Sequence, residues 1–442
     1  MLDKLNCMQS KKFKSYSRHN LDQLLTLRHL PEDVVTAIRV VSAVFPFRIN
    51  AYVIDELIDW SNIPTDPLFQ LTFPQPGMLG AADYRALAHQ IRSGASEKDI
   101  RSMAARVQSR MNPHPGGQMA LNVPRMGGEP VPGMQHKYTE TVLYFPRQGQ
   151  TCHTYCTYCF RWAQFVWGGA LKFAGDDPST LVRYLDAHPE VTDLLLTGGD
   201  PMVMSAKQLR KHLGGILKKR PGNLSTIRIG SKVLAYWPYR FLTDRDADDV
   251  IQLFDEVISA GYHLTVMSHF SHPRELSTEA VRLAMKRLIN TGVTLRCQAP
   301  VIRHINDHPD VWAEMWRRQV AMGAIPYYMF VERDTGPRDY FHLPLASAYE
   351  IFTQAYRQVS GLCRTVRGPS MSATPGKVLV DGITEVAGEK VFALKFIQAR
   401  NPEWVNRVFF ARFDGQASWL DALKPAFGET RFFFETGCGQ GR

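Results

Sequence analysis

Residues 141–159 read TVLYFPRQGQTCHTYCTYC, and the fold turns on how they are parsed. The opening five, Thr141-Val142-Leu143-Tyr144-Phe145, are β-branched, aliphatic and aromatic, and short enough for one buried strand. Pro146 ends the run. Three cysteines follow at Cys152, Cys156 and Cys159, with the spacing Cys-x3-Cys-x2-Cys. Downstream, short apolar runs at 193–197, 226–229, 264–267, 294–298 and 326–331 predict further strands. Between and after them lie helical patterns at 179–188, 206–218, 247–260, 277–290, 311–322 and 346–359. Strand and helix in alternation predict βαβ units with a parallel sheet. Six such units suit an α/β fold of the partial (β/α)6 barrel type. Its chemistry belongs at the C-terminal strand ends, where the cysteines fall.

The flanks differ in texture. Residues 20–60 read as helices, with Pro31-Glu32-Asp33 as a helix start. The Pro-rich stretch 64–76 reads as a loop. Residues 81–111 read as helical again, with Ser96-Glu97-Lys98-Asp99 in the form of a helix cap. Repeated Pro and Gly make 113–133 an extended linker. Past Lys377, Asp381-Gly382 between two apolar runs predicts a hairpin, with another strand at 390–396. The expected organisation is a helical N-terminal region and linker (1–137), a barrel (138–377) and a small β-containing C-terminal extension (378–442).

Composition narrows the function. The chain has 442 residues, 45% hydrophobic and 21% charged, a balance that supplies a buried core. It has no unbroken run of about 18 apolar residues, so no membrane span is expected. The first fourteen residues are polar, carry Lys4, Lys11, Lys12 and Lys14, and lack a secretory apolar stretch, so the cytoplasm is the expected location. The net charge is +10, but the basic residues are scattered, the densest cluster being Lys218-Lys219-Arg220, and nucleic-acid binding is not expected. The seven cysteines are Cys7, Cys152, Cys156, Cys159, Cys297, Cys363 and Cys438. An odd number with three crowded into one loop points to metal or redox chemistry rather than a disulfide framework.

Three thiolates suit an iron–sulfur cubane and leave one iron without a protein ligand, open to a small molecule. A structural zinc site needs four ligands; no second cysteine pair is present, and His153, adjacent to Cys152, is badly placed for the same ion.

Together with Gly198-Gly199-Asp200 at the end of the second predicted strand, the cysteine motif resembles the radical S-adenosylmethionine (SAM) superfamily. That resemblance implies a [4Fe–4S] cluster on Cys152, Cys156 and Cys159, and SAM contacts from Gly198, Gly199 and Asp200. Glycines would let backbone approach the ligand closely. Within the superfamily the chain resembles the lysine 2,3-aminomutase family over about residues 45–377. The carriers are Val131-Pro132-Gly133, Lys137-Tyr138, Cys159-Phe160-Arg161, Leu196-Thr197-Gly198-Gly199-Asp200, Ile227-Arg228-Ile229-Gly230-Ser231, His269-Phe270-Ser271-His272-Pro273, Gln298 before Ile305-Asn306-Asp307, Pro326-Tyr327-Tyr328 and Pro375-Gly376-Lys377, in family order.

This second resemblance implies that pyridoxal 5′-phosphate (PLP) is carried on Lys377, that Arg161 grips the substrate carboxylate, and that Ser231, His269 and Gln298 contact cofactors. It implies an amino group moved from Cα to Cβ of an amino acid after a SAM-derived radical removes a hydrogen. It also implies an electron donor such as flavodoxin or ferredoxin, and is compatible with a homo-oligomer. There are departures. The family's glycine run before the lysine is here Thr374-Pro375-Gly376, and Pro375 lacks a backbone donor. The aspartates that hold a lysine ammonium in the family fall on Arg333 and Ser370, with Asp334 one residue from the first. A cation in that place repels lysine and favours an acidic or uncharged amino acid. Only Cys438 lies in the tail and His308 follows Asn306-Asp307, so the zinc of some lysine enzymes is not expected. Two other readings remain: a radical SAM enzyme catalysing a different rearrangement or elimination, on an amino acid or a carrier-bound substrate, with or without PLP; and a non-catalytic protein that merely holds a cluster.

Overall fold

The apolar positions of the predicted strands share one side of a single mixed sheet. In a computed structural model, which describes residues 11–28, 30–166 and 173–435, fifteen strands form three sheets among the described residues. Cys7, Cys438 and Lys4 lie outside those residues. Two small antiparallel pairs come first: β1 (Ser15–Ser17) with β2 (Arg48–Asn50), and β3 (Arg125–Met126) with β4 (Glu129–Pro130). The main sheet begins at β5 (Met134–Tyr138), which pairs antiparallel with β6 (Thr141–Tyr144). Strands β7 (Asp193–Leu196), β8 (Thr226–Ser231), β9 (His263–His269), β10 (Thr294–Val301), β11 (Ile325–Val331) and β12 (Arg367–Ser372) then join β6 in parallel, each beside its predecessor. Antiparallel β13 (Gly376–Val386), β14 (Glu389–Ala399) and β15 (Val408–Arg412) complete the far edge.

Helices Pro178–Ala187, Ala206–Lys219, Ala247–Ser259, Glu279–Asn290, Pro309–Ala321 and Leu345–Arg357 make the crossovers, close to their predicted spans. Leu194, Leu196, Ile227, Ile229 and Val266 are fully buried beneath them. Each such side chain contributes about 1.5–3 kcal/mol by leaving water. The two edges of the parallel region approach each other: β14 comes against β5, and the Lys137 amine donates to the Ala373 carbonyl between β12 and β13.

Several sequence expectations are corrected. The parallel strands number seven, not six. β12 contains Gly368, Pro369 and two serines, which read as turn residues, yet Gly368 is needed because a Cβ there would lie 2.5 Å from the Met329 carbonyl. Asp381-Gly382 is no hairpin turn. β13 runs through it with a register shift, Asp381 pairs with Lys395, and the chain reverses at Ala387-Gly388, both at positive φ. The Pro-rich 64–76 stretch holds a helix, Pro67–Thr72, because Asp66 caps it and Pro67 occupies a first-turn position that needs no N–H. Within 81–111 the chain breaks into Ala81–Arg92 and Glu97–Ser109 around Gly94 at φ +72°; Ser96 does cap the second helix, accepting from the Asp99 amide at 3.2 Å. Residues 20–60 are not all helical, since β2 lies within them, and the supposed linker contains the β3–β4 pair. The divisions at 137/138 and 377/378 fall inside β5 and β13 of one continuous sheet.

Candidate active site

Side chains alternate across a strand, so every second residue faces the same way. Thr141 and Leu143, Leu195 and Thr197, Arg228 and Gly230, Met267 and His269, Gln298 and Pro300, and Tyr328 and Phe330 all line one cavity of about 350 Å³. Polar residues in the middle of buried strands, such as Arg228 and Gln298, are explained by this: they face a lumen.

Cys152, Cys156 and Cys159 lie at the C-terminal strand ends and line the same cavity. Their loop has little regular structure of its own and is held from outside. Arg48 of β2 donates to Thr151 Oγ1 at 2.9 Å and to the Cys152 carbonyl at 3.3 Å, while the Tyr155 amide donates to the Arg48 carbonyl. Asn50, fully buried, donates to Thr154 Oγ1 at 3.0 Å and to the Tyr236 carbonyl at 2.8 Å. Tyr236 also places its hydroxyl 3.0 Å from Cys156 Sγ. Burial pushes the thiols up, Cys159 to about 12. Free thiols in this pocket stay protonated, and a metal that replaces the protons removes that cost. The three sulfurs do not fall within 4.8 Å of one another. A tetrahedral zinc with bonds of about 2.3 Å draws its sulfurs to about 4 Å apart. Three cysteine ligands that leave one metal position open suit an iron–sulfur cubane.

Gly198 and Gly199 line the cavity, but the missing Cβ atoms serve the cysteine loop. A Cβ on Gly198, at φ +148°, would sit 2.2 Å from Gln150 Nε2, and one on Gly199 2.4 Å from the Thr151 carbonyl oxygen. Gly198 thus packs against the Gln150 side chain and Gly199 against the Thr151 backbone, while both line the cavity. Asp200 is 3% exposed, and its carboxylate accepts from Ser231 Oγ at 2.7 Å and from the amides of Met202 and Lys232 at 2.9 Å each. Burial raises it to about 6 against those bonds. Asp200 and Ser231 therefore tie the loop after β7 to the loop after β8. His269 ends β9; its Nε2 lies 2.8 Å from Tyr158 Oη, and burial followed by Lys232 holds the imidazole neutral. Gln298 faces the lumen from β10.

The same cavity is lined by Lys377. Gly376, just before it, is required because a Cβ would lie 2.4 Å from the Gln398 carbonyl oxygen on β14. Lys377 Nζ donates to Gln398 Oε1 at 2.9 Å and stands 4.2 Å from the centre of the Tyr328 ring. Burial, then Arg228, Arg367 and Arg333, depress its pKa well below the usual amine range. A lysine so shifted, in an aromatic, cation-rich pocket, fits a carbonyl cofactor that carries phosphate.

Arg161 and Arg333 flank Phe160, at 5.0 and 4.7 Å from the ring centre, and Arg161 also lies 4.4 Å over Phe145. Burial lowers Arg161 to about 9. Arg333 donates to the Ser372 carbonyl at 2.9 Å and lines the cavity; Asp334 does not line it and instead accepts from Asn112 Nδ2 at 3.1 Å. Ser370 does not line the cavity: it is fully buried in β12 with its hydroxyl unpaired. Its expected place as a substrate contact is corrected, because it is fully buried within β12 and does not reach the cavity lining that Ser372, two residues on, does reach.

Sequence reasoning missed Lys137 as a buried amine of the cavity, Glu332, Gln398 and the buried Lys232–Glu275 ion pair at 2.7 Å. Glu332 lines the cavity, and burial, opposed by Arg333, raises its carboxyl well above the usual range. The signal available for these residues was only their closeness to motif residues, such as Glu332 beside Arg333.

No family model matches the chain. A protein of Aquifex aeolicus named "Putative L-lysine 2,3-aminomutase" is 29% identical over 398 residues, covering 89% of this chain and 92% of its own length. L-lysine 2,3-aminomutase of Clostridium subterminale is 28% identical over 243 residues, 53% of each chain, and that of Escherichia coli 26% over 253 residues, 57% of this chain and 69% of its own. Among solved structures, a radical SAM methyltransferase from Sphaerobacter thermophilus matches with a TM-score of 0.35 at 13% identity, over 54% of this chain and 68% of that one. That likeness is too slight to carry an argument. The chain is thus similar, at 25–29% identity, to proteins named "L-lysine 2,3-aminomutase" or "Putative L-lysine 2,3-aminomutase".

Proposed function

We propose that this chain is a radical SAM enzyme of the partial-barrel type that moves an amino group between adjacent carbons of an amino acid other than lysine. Its cofactors are a [4Fe–4S] cluster, SAM and PLP. When bound, they supply a carbon-centred radical and a delocalised π system that stabilises the migrating nitrogen. The observation that carries the reading is one cavity lined both by the three cysteine thiols and by a buried lysine whose pKa is driven well below the usual amine range.

In this reading, each residue has a role set by its surroundings. Cys152, Cys156 and Cys159 hold the cluster and leave one iron open. The loop tied by Asp200 and Ser231 shapes the SAM site. Lys377 Nζ, oriented by Gln398, is the nucleophile that anchors PLP. Arg161, pinned over two aromatic rings, turns its fork to the substrate carboxylate. Arg333 meets the distal end of the substrate. Burial raises the Glu332 carboxyl well above the usual range and Asp334 does not line the cavity, so the charge offered at that end is the Arg333 cation. A lysine ammonium would be left unpaired beside a guanidinium, at about 1–3 kcal/mol or more. A distal carboxylate would be paired.

The test is anaerobic incubation of cluster-reconstituted protein with SAM, reductant, PLP and a panel of amino acids, read by mass spectrometry. The expected result is a β-amino acid product from L-glutamate or an uncharged polar amino acid, with 5′-deoxyadenosine formed. Efficient conversion of L-lysine would overturn the substrate assignment, and no SAM cleavage with any substrate would overturn the enzyme reading.

A further inference from the structure

The chain after β8 brings a phenol to the cysteine loop. Tyr236 ends the short helix Val233–Tyr236 and is 1% exposed. Its Oη lies 3.0 Å from Cys156 Sγ and is hydrogen-bonded to no other group among the described residues. Asn50 fixes the approach from both sides. Its side-chain amide donates to the Tyr236 carbonyl at 2.8 Å and to Thr154 Oγ1, two residues before Cys156, at 3.0 Å. One buried amide thus holds both the backbone that carries the phenol and the loop that carries the thiol.

The direction of the hydrogen bond follows from chemistry. A phenol keeps its proton at neutral pH and can donate or accept. A cysteine that ligates a metal has lost its proton and can only accept. Tyr236 is therefore the donor whenever Cys156 is a ligand. The other two thiols lack such a partner: Cys159 is met by the Arg161 backbone amide, and no hydroxyl is bonded to Cys152 or Cys159 among the described residues. Neighbouring phenols are committed elsewhere. Tyr155 Oη lies 3.0 Å from Thr151 Oγ1. Tyr158 Oη, also close to Cys156, lies 2.8 Å from His269 Nε2 and 3.0 Å from Ser271 Oγ. The nearby cation is answered as well: Lys232 Nζ stands 4.8 Å from the centre of the Tyr236 ring and 2.7 Å from the buried Glu275 carboxylate. What sets Cys156 apart is the hydrogen bond.

Building on the radical SAM reading, we infer that Tyr236 acts through Cys156 to raise the reduction potential of the cluster that the three cysteines hold. Reduction adds one electron, and part of its charge falls on the ligand sulfurs. A donor at one sulfur stabilises the reduced form more than the oxidised form, because hydrogen bonds strengthen as the acceptor gains negative charge. The phenol keeps its proton throughout; only the electron moves, from the external reductant to the cluster. The cluster is then easier to reduce and a milder reductant of SAM.

The test uses the full chain, reconstituted anaerobically, as wild type, as Tyr236→Phe and with 3-fluorotyrosine at position 236. Each is titrated through a series of potentials and followed by the electron paramagnetic resonance of the reduced cluster. Tyr236→Phe keeps the ring and removes the donor. It should lower the reduction equilibrium constant about tenfold, a midpoint about 59 mV more negative, with iron and sulfide content unchanged. The fluorinated phenol is a stronger acid and a stronger donor, and should move the midpoint the other way. A midpoint that ignores both changes would overturn the inference, and loss of cluster with an unmoved midpoint in what remains would reduce Tyr236 to a support of the loop. If Tyr236→Phe holds no cluster at all, the fluorotyrosine protein decides: a raised midpoint supports the inference and any other result overturns it. Wild type that reconstitutes no reducible cubane would sink the radical SAM reading and this inference with it, whereas a normal wild-type cluster with unmoved midpoints sinks this inference alone.

Discussion

At one mouth of the cavity, the three thiols come from Cys152–Cys159, a single loop of eight residues. Elsewhere along the cavity, Lys137, Glu332, Arg333, Lys377 and Gln398 come from β5, the residues just after β11, β13 and β14. The first group is set by spacing along the chain, and the second exists only once the sheet has curled. Local motifs keep their identity when the rest of a sequence drifts; distributed walls change one residue at a time. The contrast accounts for a chain whose cysteine motif matches the pattern of the lysine 2,3-aminomutases it resembles while the positions proposed for the substrate end depart from it.

The comparison can be broken most severely at the cysteines. Cys156→Ala should leave the fold intact and abolish cluster retention and SAM cleavage together, read as iron and sulfide content and 5′-deoxyadenosine formation. Survival of the cluster would show that the ligands are not the local trio. Next, Lys377→Ala should abolish rearrangement and the absorbance of lysine-linked PLP, while slow SAM cleavage persists, because the two ends are built separately. A variant that still links PLP would assign the role to another lysine.

Arg333→Ala should lower turnover of a distal-carboxylate substrate by about 10- to 100-fold, and Arg333→Asp should shift preference toward L-lysine. No change in the ratio of the two kcat/KM values would remove Arg333 from the substrate end. Asn50→Ala probes whether the cysteine mouth is as local as its motif. It removes hydrogen bonds to Thr154 and Tyr236, and should cost about 1–3 kcal/mol in denaturant unfolding and speed cluster loss, with lysine-linked PLP unaffected.

The smallest effect concerns charge. Lys377 titrates lower in the folded protein than in the unfolded chain, where its pKa is about 10.4. Between those two values the unfolded state binds more protons, so stability rises with pH across the window. Lys377→Met removes that dependence. The cofactor-free variant should therefore melt a few degrees above wild type at neutral pH, with the gap closing as pH rises past about 10. An advantage independent of pH would mean that the amine is charged in the fold.

Much of this was legible in the sequence. The cysteine spacing, the strand–helix alternation and the lysine after Pro375-Gly376 are short-range patterns, and short-range patterns survive reading one residue at a time. What tertiary structure alone decided was each group's environment. β12 was hidden because its Gly, Pro and Ser residues read as turn; a neighbouring strand at close range is what makes them a strand. Arg333 rather than Asp334 faces the cavity because β11 ends where it does, and Ser370 leaves the site because it is fully buried within β12. Arg48 and Asn50 hold the cysteine loop from about a hundred residues away, a contact no spacing rule reaches. The Lys377 amine is pushed well below its usual range only when burial and three arginines surround it. Spacing carries ligand identity, because a thiolate is a ligand wherever it stands. Protonation state and substrate charge come from desolvation and from neighbours distant in sequence, which only the folded chain brings together.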